Sequence, residues 1–380
     1  MKIKRVGVEP VKYMQKLGVD RPGIKIMEKK AEILLFEIKD MHVGAANILK
    51  QDALSVGADL AVPVGVVTCS QKSVDALLIG TRKHMELLAK KEGAQPFGLK
   101  ELAKNLKEFL KNSKKSFEPK IMGVINANED SFYPSSRFLG QRAVEAIEKM
   151  IEDGADIIDI GGMSSRPGSE EISEEEELKR VKPVIDAVYE SELFKKAVFS
   201  IDTYRPKVAR YALGRGFRIL NDITALRDEE LAKVAAEFGA TVVLMHMRGT
   251  PKDMQKDPFY EDVVLEVEEF FRQRIDFALS FGISDIILDP GIGFGKRLED
   301  NLALIRDLEE FKRFGYEILV GASRKSMIYK IHKSSVEKRL GGTIALHLMA
   351  LERGAGIIRC HDVFEHKQAI LTREAVRNLI

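Results

Sequence analysis

The chain has 380 residues, 45% of them hydrophobic, and 60 basic against 58 acidic residues give a formal charge of +2. That balance gives no electrostatic reason to expect nucleic acid or an anionic membrane as partner. The two cysteines, Cys69 and Cys360, make no CxxC pair and no disulfide framework, so a reducing cytoplasm is the expected setting.

The start, MKIKRVGVEP, has no apolar signal core, and no apolar stretch is long enough to span a bilayer. The length suits a barrel plus a smaller unit. Over the first part, the pattern predicts a strand at 31–38, a helix at 45–56, a strand at 61–69 and a helix at 74–91. A further helical pattern at 99–110 repeats leucines at Leu102, Leu106 and Leu110. The polar, basic stretch KNSKKSFEPK then reads as a connection, with the linker proper at 113–119. Residues 1–112 are expected to form a small α/β domain. It carries no catalytic motif, and packing or dimerisation is its expected role.

From residue 120 a layout recurs. The runs IMGVINANEDSF, ADIIDIGGMSSRPG, AVFSIDTYR, FRILNDIT, TVVLMHMRGT, DIILDPGIGFGK, EILVGASRKS and GIIRCHD each join an apolar stretch to a polar or glycine-rich cluster. Short Val/Ile-rich runs suit buried parallel strands. Helical patterns follow most of them, at 138–153, 173–189, 206–215, 261–280 and 298–314. Ser173 with Glu176 three residues on has the form of a capping box. Eight such units in about 240 residues is the size of a (β/α)8 TIM barrel, whose active sites lie at the C-terminal strand ends. Residues 120–380 are assigned to that barrel.

The chemistry is read from those strand ends. Asp202, Asp222 and Asp289 end apolar runs, where a carboxylate is costly to bury unless paired. A lone Asp there is usually a turn or helix cap, the reading preferred for Asp222, beside which Asn221 is the better inward candidate. Arg324, Lys325, Arg359 and His361 come from two later strand ends and suit a phosphate or pyrophosphate. Acids on one side and bases on the other is the expected arrangement. The acids with Asn221 suit a planar ligand rich in N–H donors. GIGFGK fits neither the dinucleotide nor the P-loop pattern and reads as a tight turn whose backbone approaches a ligand closely. Met245 could face a flat ring, with core packing an equal alternative. Asn126 could orient a leaving diphosphate or a Mg2+ bound to it. His332, His347 and His366 lack metal-ligand spacing, so structural or surface roles are expected.

Taken together, DIIDIGGMSSRPG, LMHMRGTP, ILDPGIGFGK, LVGASRKS and RCHD, in this order, resemble the dihydropteroate synthase family over residues 120–380. The resemblance implies a barrel enzyme, usually dimeric. It implies condensation of (7,8-dihydropterin-6-yl)methyl diphosphate with 4-aminobenzoate to give 7,8-dihydropteroate and diphosphate. Carried over, Asp202, Asn221, Asp289 and Lys325 bind the pterin, with Met245 and Gly321 as further substrate-binding positions. Asn126, Arg359 and His361 hold the diphosphate, Asn126 also at Mg2+. Ser165, Arg166, Pro167 and Ser326 shape the aminobenzoate side. Asp202, Lys325, Arg359 and His361 are the implied catalytic set. The expected partners are these two small molecules and a second copy of the chain, with no nucleic acid and no membrane.

The first loop, NANEDSFYPSSR, departs from the family's usual NVTPDSFSDGG at Asn128 and Glu129. The second has Met163 where Glu is common and Ser165 where Thr is common. Two alternatives stay open in the enzyme class: a pterin-dependent corrinoid methyltransferase, and a synthase using a modified aminobenzoate. A binding-only barrel is a third. The SRKS and RCHD clusters speak against methyl transfer, which needs no diphosphate pocket.

Overall fold

The computed structural model describes residues 3, 6, 10–127, 136–163 and 172–379, with only the backbone described over 136–141. Chain contacts divide it into two units, Met1–Lys114 with Arg377–Ile380, and Lys115–Val376.

The first unit holds a three-stranded antiparallel sheet in the order β1-β3-β2, from β1 (Ile33–His42), β2 (Asp59–Ala61) and β3 (Ser73–Thr81). Helices Val43–Val56, Arg82–Lys91 and Leu99–Asn112 supply the rest of its core, through Leu49, Ala53, Met85, Leu88, Leu99 and Leu106. Two expectations fail here. Residues 74–81 are strand, not the start of a helix: Val74, Ala76 and Leu78 alternate inward with period two. Residues 61–69 are mostly turn rather than strand, with left-handed backbone at Gly65 (φ 94°) and Cys69 (φ 53°). Both cysteines are free, Cys69 exposed and Cys360 buried.

The second unit is a closed barrel of eight parallel strands in sequence order: β4 (Lys120–Asn126), β5 (Ile157–Gly161), β6 (Val198–Asp202), β7 (Ile219–Asp222), β8 (Thr241–Met245), β9 (Ile286–Asp289), β10 (Glu317–Val320) and β11 (Ile357–Cys360). Helices separate successive strands and pack on their outer faces to form the main core. Ser173 caps the helix Glu174–Glu190 by accepting from the Glu176 amide at 3.2 Å, as expected, while the Glu176 carboxylate turns to Arg180 at 3.0 Å. The pattern at 298–314 divides into a helix, Leu298–Arg306, and a 3-10 segment, Leu308–Phe314. No helix among the described residues is long and apolar enough to cross a membrane.

Inside the barrel, Met122, Ile157, Ile219, Val243, Ile287, Leu319 and Ile357 form a separate apolar plug. Burying each such side chain contributes about 1.5–3 kcal/mol. The barrel is therefore filled below its mouth, with the C-terminal strand ends lying above the plug.

Candidate active site

Strand side chains alternate, so the inward positions above the plug lie two residues further along each strand. Counting on from Ile157, Ile219, Val243, Ile287, Leu319 and Ile357 gives Asp159, Asn221, Met245, Asp289, Gly321 and Arg359. On β6 the same count from buried Ser200 gives Asp202, and on β4 two steps from Met122 give Asn126. Thus Asp202, Asn221, Met245, Asp289, Gly321 and Arg359 share one inward layer with Asp159, which sequence reasoning missed, and Asn126 stands one step above that layer.

Asp159 anchors this layer. It is fully buried, and its Oδ2 accepts from Arg359 Nε at 2.7 Å and Asn221 Nδ2 at 3.0 Å. Arg359 also donates through Nη2 to Asp202 Oδ2 at 2.7 Å. One guanidinium thus serves two carboxylates. Burial and the neighbouring Asp159 push the Asp202 carboxyl up to about 7 against the pull of Arg359, while the two acids raise Arg359 further above its usual range. The expected separation of acids from bases is corrected here: Arg359 lies among the acids, because the buried Asp159 and the half-buried Asp202 need a cation between them.

Asp289 accepts from the Gly291 amide at 2.7 Å, and burial raises its pKa. Lys325 Nζ donates to the Ile292 carbonyl and lies 4.3 Å from the Phe294 ring centre. Burial lowers Lys325 to about 8 against the opposing pull of Asp289. The glycines of GIGFGK answer to protein neighbours. At Gly291 (φ 68°) a Cβ would collide with the His246 carbonyl, and at Gly293 (φ 85°) one would stand 2.7 Å from Lys325 Cδ. Buried Lys296 locks the same loop, donating to the carbonyls of His246, Gly291 and Phe294 at 3.0–3.2 Å. Met245 packs with Ile223, Met247 and Met254, and beside Tyr204 and Phe294, so it forms an apolar wall. Gly321 is half-buried next to Arg359, where an added Cβ would find only ordinary contact at 3.7 Å.

The loops after β10 and β11 meet at Ser323 Oγ and His361 Nδ1, 2.9 Å apart. Arg324 is not aimed into the pocket with them. It forms a bidentate pair with Asp362 (2.6 and 2.9 Å) and donates to the carbonyls of Val336 and Glu337. Ser326 opens the helix Ser326–Ile331 and is exposed. Asp222 caps a turn, accepting from the Thr224 amide and hydroxyl and from the Leu226 amide, which is the expected non-catalytic role. Met163, in the departing second loop, accepts from Tyr204 Oη at 3.6 Å. Ser165, Arg166 and Pro167 lie outside the described residues, as do Asn128 and Glu129. Among the described residues, no three His, Cys, Asp or Glu side chains gather as a metal site.

Comparison with known proteins gives the family. The family described as "Pterin binding enzyme" matches residues 122–361. The "Bifunctional dihydropteroate synthase/dihydropteroate reductase" of Helicobacter pylori is 42% identical over 367 residues, 96% of each chain. The "Dihydropteroate synthase" of Haemophilus influenzae is 41% identical over 263 residues, covering 68% of this chain and 94% of its own. A solved Xanthomonas albilineans dihydropteroate synthase with 4-aminobenzoic acid superposes with a TM-score of 0.64 at 37% identity, covering 69% of this chain and 94% of its own. The chain belongs to the pterin-binding enzyme family, among its dihydropteroate synthases.

Proposed function

We propose that the barrel condenses (7,8-dihydropterin-6-yl)methyl diphosphate with 4-aminobenzoate, giving 7,8-dihydropteroate and diphosphate. The observation that carries this reading is the inward layer of Asp159, Asp202, Asn221, Asp289 and Arg359 directly above an apolar floor. Carboxylates and an amide can pair with the N–H edge of a pterin, while the floor and the Met245 wall accept its ring. Lys325, from the next strand end, adds a donor for the ring carbonyl. His361 and Ser323 face the departing diphosphate, and His361 can donate to its oxygens.

In the reaction the methylene C–O bond breaks and diphosphate takes the electron pair. The arylamine nitrogen then forms the C–N bond and loses a proton. Negative charge on Asp202 favours the cationic methylene between these events, and an arylamine needs no strong base. Asn126 offers a single hard oxygen at the end of β4, which fits a Mg2+ held otherwise by substrate phosphates and water. That ion would neutralise charge on the leaving diphosphate. A homodimer and a cytoplasmic setting are proposed with it, on the family resemblance. The test is diphosphate release by the purified chain with pterin diphosphate and Mg2+, with 4-aminobenzoate present or withheld. Dihydropteroate formed only with 4-aminobenzoate supports the reading. Pterin binding without condensation would point to a modified amine, or beyond that to corrinoid methyl transfer.

A second activity on the same chain is proposed from one observation. The Helicobacter pylori relative, named as both synthase and reductase, matches 96% of this chain, whereas the Haemophilus influenzae synthase matches 68%. Reduction of dihydropteroate adds a hydride to the ring C=N carbon and a proton to its nitrogen. It needs a two-electron donor of the nicotinamide or reduced-flavin class. Tetrahydropteroate formed from dihydropteroate and such donors would support it; none from any donor would end it.

A further inference from the structure

Two buried histidines outside the pocket link the loops that meet at Ser323 and His361. His347, on the helix Leu340–Glu352, is 1% exposed, and His366, on the helix Val363–Asn378, is 2% exposed. The Ala322 amide donates to His347 Nε2 at 3.0 Å. His347 Nδ1 lies 2.8 Å from His366 Nε2, and His366 Nδ1 lies 2.6 Å from the Asp362 carbonyl. An amide can only donate and a carbonyl can only accept. The chain therefore has one consistent assignment: both rings neutral, both protonated at Nδ1, each donating towards Asp362. The Asp362 carboxylate then binds Arg324 through two hydrogen bonds, two residues from the starting amide. The result is a closed circuit through Ala322, His347, His366, Asp362 and Arg324.

Arg324 needs that support. Its backbone is left-handed (φ 54°), unfavourable for a side chain of this size. Both loops leave their strands within this circuit, and the Ser323–His361 contact depends on their separation. An apolar pair would pack as well at 347 and 366 but would leave the buried Ala322 amide without an acceptor.

We propose that His347 and His366 are positioning residues that fix the β10 and β11 loops at the spacing needed to hold the diphosphate group. This rests on the synthase reading above. The probe is inorganic pyrophosphate as a product inhibitor, assayed on the full chain with His347→Phe, His366→Phe and the conservative His366→Gln. Both Phe variants should weaken pyrophosphate inhibition and raise KM for the pterin diphosphate roughly tenfold, with KM for 4-aminobenzoate within about twofold. Gln, which keeps an acceptor towards His347, should restore part of the loss. A merely structural role would lower thermal stability and leave these constants unchanged in the folded fraction, and that result would overturn the proposal. A parallel rise in every constant would overturn it too. Should the Phe variants not fold, nitrogen NMR of the unaltered chain at pH 7 decides: both rings as Nδ1–H tautomers that shift on adding pyrophosphate support the circuit, and absence of either result rejects it. An unaltered chain that makes no dihydropteroate sinks the synthase reading itself; one that does, with variants inhibited normally, sinks only the positioning role.

Discussion

Asp202 and Asp159 share the Arg359 guanidinium, and one positive charge cannot fully neutralise two carboxylates, one buried and one half-buried. With Asp202 pushed up to about 7, its active, ionised form grows as pH rises through that value. The expected kcat/KM for the pterin diphosphate therefore climbs between about pH 6 and 8, a window set by that value. Asp202→Asn should remove this limb and lower turnover by about a hundredfold or more, with pterin binding much less affected. Steady-state kinetics against pH with a separate pterin-binding titration checks both, and a collapse of binding alone would reject the role given to Asp202. Glu92 in the first unit behaves differently. It is buried beside Asp52, and burial with that like charge pushes its carboxyl up to about 7. Its folded pKa lies above the unfolded one, so its contribution is complete below the ordinary Glu range and disappears as pH climbs towards 7. Glu92→Gln should flatten the pH dependence of the unfolding temperature between about pH 5 and 8, measured by circular dichroism. Parallel curves for the two proteins would exclude Glu92 as the titrating group.

The loop after β9 is held more tightly than its three glycines suggest. Gly291→Ala would force a methyl group onto the His246 carbonyl at positive φ, and a loss of about 2–4 kcal/mol is expected. Denaturant unfolding measures it, and a loss below about 0.5 kcal/mol would show that the loop yields. The barrel strands were legible in sequence because both faces are largely buried, which makes each a mostly apolar run. β3 was not legible: Leu77 and Ile79 on its outer face are apolar too, so the period-two pattern of Val74, Ala76 and Leu78 was hidden. At the site, strand-end residues could be found from their positions. Asp159 could not, because it lies inside its strand between Ile158 and Ile160 and precedes the conspicuous GGMSSRPG. Its one signal was the two-residue step that also locates Asp202 and Asn221. The histidine circuit gave no signal, since its members come from two helices and two loops that only the closed barrel brings together.

At the scale of the molecule, the Haemophilus influenzae and Xanthomonas albilineans synthases match only about the length of the barrel, whereas the Helicobacter pylori relative matches nearly the whole chain. The Xanthomonas albilineans structure covers 94% of its own chain while matching 69% of this one. A chain beginning at Ser116 should therefore fold and release diphosphate within about an order of magnitude of the full chain. A soluble, folded product without condensation would show that residues before 116 serve the synthase directly. Any reductase activity of the full chain, absent from the shortened one, would locate that second reaction's requirement in the first unit. The two-residue step from plug to site also gives the pocket a reading frame. Deleting one codon inside β6 would turn Asp202 outward to the helices and deliver Thr203 to the ligand, whatever happened to stability. The same deletion in a surface turn between helix and strand would leave every ligand-facing residue in place. Length variation among functional descendants of this chain should therefore collect in its turns and never within the strands.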